Sequence, residues 1–114
     1  PKEYGGEGQE WSTALKIVRE FSKTDAALGH LYGYHSIFVS DLQIKGTLEQ
    51  QAYFYPQSVR QNAFWGNSSN PLNNTLLGEE RGDCYILNGS KSFSSGSPDS
   101  EYLWVSFNDY VTGQ

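Results

Sequence analysis

The first half of the chain carries apolar residues at helical spacing. After a glycine-rich loop over residues 1–8, one apolar stripe predicts a first helix over about residues 9–22. The stripe consists of Ala14, Leu15, Ile17, Val18 and Phe21. A longer run over about residues 25–45 is apolar on more than one face, which is typical of a helix that is buried or packs on several neighbours. We expect Asp25 to cap this second helix and Gly46 to end it.

A capping box predicts a third helix. Thr47 is the expected N-cap residue and Gln50 is its expected partner. We expect this helix to end at about Tyr55, because Pro56 cannot donate the backbone hydrogen bond that a helix interior requires. We expect a separate short helical turn to follow at residues 57–60.

From residue 62 the apolar residues occur in short runs, which is typical of β structure. We predict short strands at residues 63–65, 76–77 and 102–107. Residues 83–87 and 90–95 flank Asn88-Gly89, the preferred pair for a two-residue type I′ turn, and therefore predict a β-hairpin. The chain is thus expected to be α+β, with a boundary near residue 61 between a helical part and a β part.

The composition limits the classes of function. With 114 residues, the chain is long enough for one domain with a hydrophobic core. A net charge of −5 and the lack of a basic run argue against nucleic acid as a partner. No apolar run is long enough to span a membrane, and a single cysteine favours a reducing, cytoplasmic setting. We expect Cys84 to be a small core residue rather than a nucleophile.

Two pairs of residues are candidates for chemistry. His30 and Tyr34 are four residues apart on the second helix and therefore share a face, while His35 points elsewhere. Either histidine can be a buried residue with a hydrogen-bond partner, or it can handle protons beside a flat ligand. Phe93 and Ser95 are two residues apart on a predicted strand, so both should point to one face. They are either a core aromatic and an edge hydroxyl, or contacts to the face and edge of a ring.

A polar loop is the third candidate. Asn67, Ser68, Ser69 and Asn70 are predicted to follow an aromatic strand directly, as either a simple turn or part of a binding site. The spacing of histidine, cysteine and acidic residues does not match a metal site, and no phosphate-binding loop or nucleophile elbow is present. Metal, dinucleotide and serine-hydrolase chemistry are therefore not expected.

Several motifs, in this order, resemble those of the acyl-CoA dehydrogenase superfamily. They are the loop Pro1-Lys2-Glu3-Tyr4-Gly5-Gly6-Glu7-Gly8, the stretch Gly33-Tyr34-His35, the helix start Gly46-Thr47-Leu48-Glu49-Gln50-Gln51 with Tyr53 to Pro56, and Gly82-Asp83-Cys84-Tyr85-Ile86-Leu87-Asn88-Gly89-Ser90-Lys91. The resemblance implies the end of a helical N-terminal domain at residues 1–61 and the start of an antiparallel middle β domain at residues 62–114. Because the chain opens on Pro1 and contains no methionine, we expect it to be a piece of a longer protein.

The resemblance also implies a flavin site. The residues that match the flavin contacts of the family are Phe93, which would lie against the ring system, and Ser95, whose hydroxyl would bond near N5. In the flavin-dependent monooxygenase branch, the residues matching His30 and Tyr34 line the site beside the flavin. The residue matching Asn67 helps to hold the flavin oxygen adduct in that branch. The predicted site residues are therefore His30, Tyr34, Asn67, Phe93 and Ser95.

One departure favours the monooxygenase branch. Dehydrogenases carry an acidic residue and a Gly-Ser-Asp sequence after the first strand, and here the chain reads Trp65-Gly66-Asn67-Ser68-Ser69-Asn70 instead. The sequence is therefore identified as similar to dibenzothiophene monooxygenase-like enzymes. That resemblance implies reduced FMN or FAD from a separate flavin reductase, O₂, a small aromatic sulfur or nitrogen heterocycle as substrate, and a full-length homotetramer.

Two alternatives stay open from the sequence. The first is an acyl-CoA dehydrogenase that transfers hydride from an acyl thioester to FAD, with its catalytic carboxylate outside these residues. The second is a structural or binding domain of the same family without activity. Since the motifs supply only one wall of a site, we expect residues 1–114 alone to be inactive.

Overall fold

Three helices form the first part of the molecule. The structure is a computed structural model, and it describes residues 1–73 and 75–113. After a short 3-10 helix at Lys2–Tyr4, α1 spans Trp11–Thr24, α2 spans Ala26–Lys45 and α3 spans Leu48–Gln61. The three predicted helices are confirmed. None of them is both long and apolar enough to cross a membrane.

Both predicted helix caps are present. The Asp25 carboxylate accepts hydrogen bonds from the backbone N–H groups of Ala27, at 2.7 Å, and Leu28, at 3.4 Å. The Thr47 hydroxyl accepts from the Gln50 N–H at 3.1 Å, and the Gln50 side chain accepts from the Thr47 N–H at 2.9 Å. These contacts satisfy donors at the helix starts that have no partner within the helix.

The predicted end of α3 at Tyr55 is wrong. Pro56 lies inside the helix, which continues to Gln61. The carbonyl of Tyr53, on the turn that Pro56 disturbs, accepts a hydrogen bond from the Gln57 side-chain amide at 3.1 Å. This bond adds a side-chain donor on the same turn, but the carbonyl that Pro56 leaves without its helical donor is that of Ala52.

Within the described residues, five strands follow the helices and form two small sheets. They are β1 (Trp65–Ser68), β2 (Leu77–Arg81), β3 (Cys84–Asn88), β4 (Tyr102–Val105) and β5 (Asn108–Asp109). β1 pairs with β4 in parallel, and the second sheet has the order β3-β2-β5. The α+β fold class is confirmed. The antiparallel prediction is correct for β2 and β3 and wrong for β1–β4 and β2–β5, which are parallel. A parallel pair needs a crossover of about a dozen residues or more, which the long connection from β1 to β4 supplies.

The hairpin turns at a different place from the predicted one. β2 and β3 are joined by Gly82-Asp83, with Arg81 paired to Cys84. Gly82 has φ 63° and Asp83 has no positive φ, which is the pattern of a type II′ turn. Gly89 instead lies where the chain leaves β3, and a Cβ there would meet the Thr75 carbonyl oxygen. Residues 90–95 form no strand.

Cys84 is not a core residue, contrary to expectation. Every residue of β3 is exposed, including this cysteine, whose thiol donates to the Arg81 carbonyl at 3.4 Å. The sequence of β3 is apolar enough for a core strand, but no described element covers either of its faces. Its predicted burial was inferred from residue type alone.

The core lies between α2, α3 and β1. It consists of Phe38, Leu42, Tyr55 and Trp65, with further aromatic rings packed around them. The Tyr55 hydroxyl donates to the Val39 carbonyl at 2.8 Å. Burial, with smaller contributions from Tyr4 and Glu3, raises the pKa of Tyr55 to about 12. Tyr55 therefore stays a neutral donor that ties α3 to α2.

Candidate functional site

The predicted site residues meet where α2, β1 and residues 94–96 come together. The His30 Nε2 atom lies 3.0 Å from the Ser95 hydroxyl oxygen, although 65 positions separate them along the chain. The backbone N–H of Asn67 donates to the Ser95 carbonyl at 3.0 Å. Three of the predicted residues, from three segments, are therefore in direct contact through Ser95.

Tyr34 joins this cluster through ring contacts on α2, edge to face with His30 and stacked on Phe38. Its ring centre lies 4.6 Å from that of His30 and 5.8 Å from that of Phe38. The Phe38 ring stacks in turn on Trp104 of β4, at 5.9 Å. The expectation that His30 and Tyr34 share a helix face is confirmed. The stack fixes the Tyr34 ring against the core, so its hydroxyl has a defined position.

The side chain of Asn67 is held in one orientation. Its Oδ1 atom accepts from the Ser69 backbone N–H at 3.0 Å and from the Ser69 hydroxyl at 2.9 Å. Asn67 is only 6% exposed, and its Nδ2 atom donates to no protein group in residues 1–73 and 75–113. This atom is not among the buried, unpartnered side-chain atoms of the described residues, so it reaches the surface although the residue as a whole is buried. This NH₂ group is therefore available to a ligand, with its direction already set. The residue lies inside β1, where a loop was predicted.

Phe93 does not lie on a strand, so the alternation argument for Phe93 and Ser95 is wrong. Phe93 has φ 61°, which is rare for a bulky residue, and its side chain is 80% exposed. Strained residues of this kind cluster at ligand-binding sites. An exposed aromatic ring two positions from Ser95 is well suited to contact a flat ligand, but the turn, not strand alternation, decides where it points.

His35 lies on the other side of α2 from the cluster. Its Nδ1 atom accepts the backbone N–H of Trp65 at 3.1 Å, and its ring stacks on Phe64 at 5.5 Å. Burial lowers the pKa of His35 below its usual value of 6.5. His35 is thus a half-buried histidine with a hydrogen-bond partner, which agrees with the structural interpretation except that burial is incomplete.

Sequence analysis missed a set of contacts that ties residues 91–95 to the loop after β1. The Lys91 ammonium donates to the carbonyls of Asn70 and Asn73, at 2.7 Å each. The hydroxyl of Ser94 pairs with that of Ser68 at 2.9 Å, and the Asn73 amide donates to Ser92 at 2.8 Å. In the sequence, the only signal for these contacts was Lys91 at the end of the motif from Gly82 to Lys91. No local pattern indicates that residues so far apart in the chain are in contact.

A large cavity is separate from this cluster. It has a volume of about 620 Å³ and lies on the His35 side of α2. Most of its lining is apolar, with Phe21, Leu31, Val39 and Phe64 among its walls, and none of His30, Tyr34, Asn67 or Ser95 contributes to it. Size alone therefore does not mark the candidate site, whose donors face outward.

Comparison with known families matches residues 1–62 to the acyl-CoA dehydrogenase N-terminal domain. The chain belongs to the acyl-CoA dehydrogenase family. The resemblance seen in the sequence is therefore confirmed. The acyl-CoA dehydrogenase of Geobacillus kaustophilus has the same fold over 95% of this chain, with a TM-score of 0.81 at 22% identity.

Within the acyl-CoA dehydrogenase family, the more similar relatives are monooxygenases. Dibenzothiophene monooxygenase of Rhodococcus erythropolis is 39% identical over 92% of this chain, and the probable FMNH₂-dependent monooxygenase SfnC of Pseudomonas putida is 34% identical over 99%. Isovaleryl-CoA dehydrogenase of Bos taurus is 27% identical. The matched part is 27% of the first relative and 29% of the second, so the chain spans between a quarter and a third of their length.

Two solved structures from this branch resemble the fold closely. Methanesulfinate monooxygenase MsuC of Pseudomonas fluorescens matches 99% of this chain and 29% of its own, with a TM-score of 0.92 and 38% identity. TdsC of Paenibacillus sp. A11-2, in complex with FMN and indole, matches 95% of this chain and 27% of its own, with a TM-score of 0.87 and 38% identity.

Proposed function

We propose that this chain forms part of an FMN-dependent monooxygenase that oxygenates an aromatic sulfur or nitrogen heterocycle. The observation that carries the proposal is the oriented, unpaired NH₂ group of Asn67 in contact, through its backbone, with Ser95. Support also comes from relatives named for dibenzothiophene and from TdsC in complex with FMN and indole. Together they favour a flavin whose polar edge accepts hydrogen bonds at this cluster.

The donor set fits an isoalloxazine ring. The ring offers a flat face and an edge rich in acceptors, and the site offers an exposed aromatic side chain, Phe93, beside the donors Asn67 and Ser95. FMN is favoured over FAD because SfnC is named as FMNH₂-dependent and TdsC binds FMN. Reduced FMN supplies the electrons that activate O₂, so that one oxygen atom enters the substrate and the other leaves as water.

His30 sets the direction of the Ser95 hydroxyl. A hydroxyl group has one proton, so Ser95 can donate it to a ligand only if the contact with His30 is one in which Ser95 accepts. That requires the imidazole tautomer with its proton on Nε2. His30 then orients Ser95, and the Tyr34 ring, in edge-to-face contact with His30, keeps it in place. A donor that is oriented before the ligand arrives costs no reorganisation during the reaction.

Assembly of the complete protein is part of the same proposal. Residues 1–61 would be the C-terminal part of a helical domain and residues 62–114 the first part of a middle β domain, which is supported by the end of α3 at Gln61 and by the family match over residues 1–62. A separate flavin reductase would deliver reduced FMN, and the full-length protein would be a homotetramer in the cytoplasm. Substrate and flavin would be enclosed by segments beyond these residues, which exclude water from the reaction.

The test uses the full-length protein with chemically reduced FMN and O₂. The substrate panel contains dibenzothiophene, indole, methanesulfinate and an acyl-CoA thioester with an artificial electron acceptor. We expect oxygenated dibenzothiophene or indole by mass spectrometry, with oxygen from ¹⁸O₂ in the product. Replacing Asn67 with alanine should reduce the yield of product per FMNH₂ about a hundredfold and release peroxide instead.

Two results would overturn the proposal. Oxidation of the acyl thioester without oxygen incorporation would identify a dehydrogenase. Oxygenation of methanesulfinate alone would keep the monooxygenase class but reject the aromatic substrate. As a matched control, Asn70→Ala changes a neighbouring asparagine whose side chain only accepts the Leu72 N–H at 3.1 Å. It should leave coupling unchanged.

A further inference from the structure

The open edge of β1 carries two backbone donors that a sheet does not satisfy. β1 pairs with β4 on one side only, in a register that joins Trp65 to Tyr102 and Asn67 to Trp104. Successive N–H groups of a strand alternate between its two edges. The N–H groups of Trp65 and Asn67 therefore point the same way, toward the edge that has no strand partner.

Side chains and backbone from elsewhere close this edge. The Trp65 N–H donates to His35 Nδ1 at 3.1 Å, and the Asn67 N–H donates to the Ser95 carbonyl at 3.0 Å. The Ser95 hydroxyl in turn contacts His30 Nε2 at 3.0 Å. Both histidines belong to α2, so the helix holds the edge at two points, once directly and once through Ser95.

The two attachment points match in length. Five residues of helix separate His30 from His35, which corresponds to a rise of about 7.5 Å. Two residues of strand separate Trp65 from Asn67, which corresponds to about 6.6 Å. Helix and strand can therefore run side by side with both contacts made at once. A shift of β1 along α2 would break them together.

We infer that His35 is a positioning residue: its neutral imidazole, which accepts the Trp65 N–H, fixes the edge of β1 and thereby the direction of the Asn67 side chain at the flavin site. The geometry stands on its own, and only the role of Asn67 rests on the proposed function. His35 does not reach the reacting atoms. It acts through the strand, because Nδ1 of an imidazole is an acceptor only while it carries no proton.

The surroundings of His35 keep it neutral. Its ring packs on Phe64, whose own N–H is held by the Glu101 carboxylate at 2.7 Å. Other titratable groups near the ring or along the same cavity are Tyr4, Tyr32, Tyr55 and the amino group of Pro1. Burial lowers the pKa of His35 below 6.5. The contact is therefore intact above the ordinary pKa of histidine and is lost as the pH falls through the lower folded-state value.

Hydrogen exchange measured by mass spectrometry on the full-length protein tests the contact without relying on catalysis. The readout is the protection of residues 64–68, relative to intrinsic exchange at each pH. We expect wild-type protection to hold above about pH 6.5, the ordinary pKa of histidine, and to fall only as the pH is lowered below it. In His35→Leu, this protection should be about tenfold lower at every pH, because the buried Trp65 N–H then has no acceptor. His35→Asn keeps an acceptor that does not titrate and should remain protected throughout. Ser36→Ala, whose hydroxyl bonds only to Tyr32 on its own helix, is the control and should behave as wild type.

Coupling of FMNH₂ consumption to product separates positioning from mere stability. His35→Leu should lower coupling about tenfold at neutral pH, His35→Asn should restore most of it, and His35→Leu should have little further effect in an Asn67→Ala background. Equal protection and coupling in His35→Leu and wild type would refute the inference. The inference would also be refuted if His35→Asn lost protection at low pH to the same extent as the wild type. If the exchange results hold and no oxygenated product forms with the wild type, the positioning role stands and the proposed function is wrong.

Discussion

Replacing Ser95 with alanine separates the side chain of this residue from its backbone role. The substitution removes the hydroxyl that contacts His30 at 3.0 Å but leaves the carbonyl that accepts the Asn67 N–H. The edge of β1 therefore stays closed. His30 is exposed, so water can replace the lost partner, and the free energy of unfolding should fall by only about 0.5–1 kcal/mol.

The effect on oxygenation should be much larger. If Ser95 donates to the flavin edge where charge develops, losing this donor costs on the order of 3 kcal/mol, or about a hundredfold in rate. The assay measures product and peroxide formed per FMNH₂ consumed by the full-length enzyme, together with its thermal unfolding. We expect a small change in stability and a large diversion of electrons to peroxide.

Ser94→Ala is the matched control for this experiment. Ser94 is the neighbouring residue and its hydroxyl pairs with Ser68 at 2.9 Å, so the substitution removes a comparable side-chain hydrogen bond that faces β1 instead of the ligand. It should cost similar stability and leave coupling near the wild-type value. If the two alanine variants lose coupling equally, the loss comes from a loosened segment, and Ser95 has no separate contact with the flavin.

Two further predictions follow from the contacts around the site. Tyr34→Phe keeps the ring contacts with His30 and Phe38, so FMN affinity measured by fluorescence should stay within about twofold. The oxygenation rate should fall on the order of a hundredfold if the hydroxyl acts only in the reaction. Turnover at the wild-type rate would mean that Tyr34 is core packing. Lys91→Met removes the donor to two loop carbonyls, so hydrogen exchange of residues 69–73 should speed up about tenfold and coupling should fall. Unchanged exchange in that loop would show that the lysine does not hold it.

Periodicity and capping chemistry predicted the helices well because both are local. The box formed by Thr47 and Gln50 depends on residues within one turn, and the stripe of α1 depends on spacing alone. The misplaced end of α3 shows where local rules stop. Pro56 removes the backbone donor to the Ala52 carbonyl, but the buried packing of Tyr55 next to it keeps the helix continuous.

The strands were predicted less well because pairing, not composition, decides them. Gly66, Asn67 and Ser68 are poor strand formers, yet they pair with β4 and are buried. The hairpin region contains two turn signals, Gly82-Asp83 and Asn88-Gly89. The chain turns at Gly82-Asp83 because β2, the strand before this turn, pairs with β3 through Glu79 and Glu80. Local propensity does not predict a strand at these two glutamates. Residues with low propensity thus form the strand that carries the candidate site.

The same distinction explains why four of the predicted site residues lie together although the strand argument for Phe93 and Ser95 failed. Strand alternation placed Phe93 and Ser95 together, but neither lies on a strand. What positions Ser95 is its own carbonyl, which completes the free edge of β1, and the turn that follows it. Gly96 there has φ 76°, and a Cβ would meet the Phe64 ring. The location of Ser95 is therefore set by backbone contacts that tolerate many side chains. Its hydroxyl is not needed for those contacts, which favours a role toward a ligand over a role in folding.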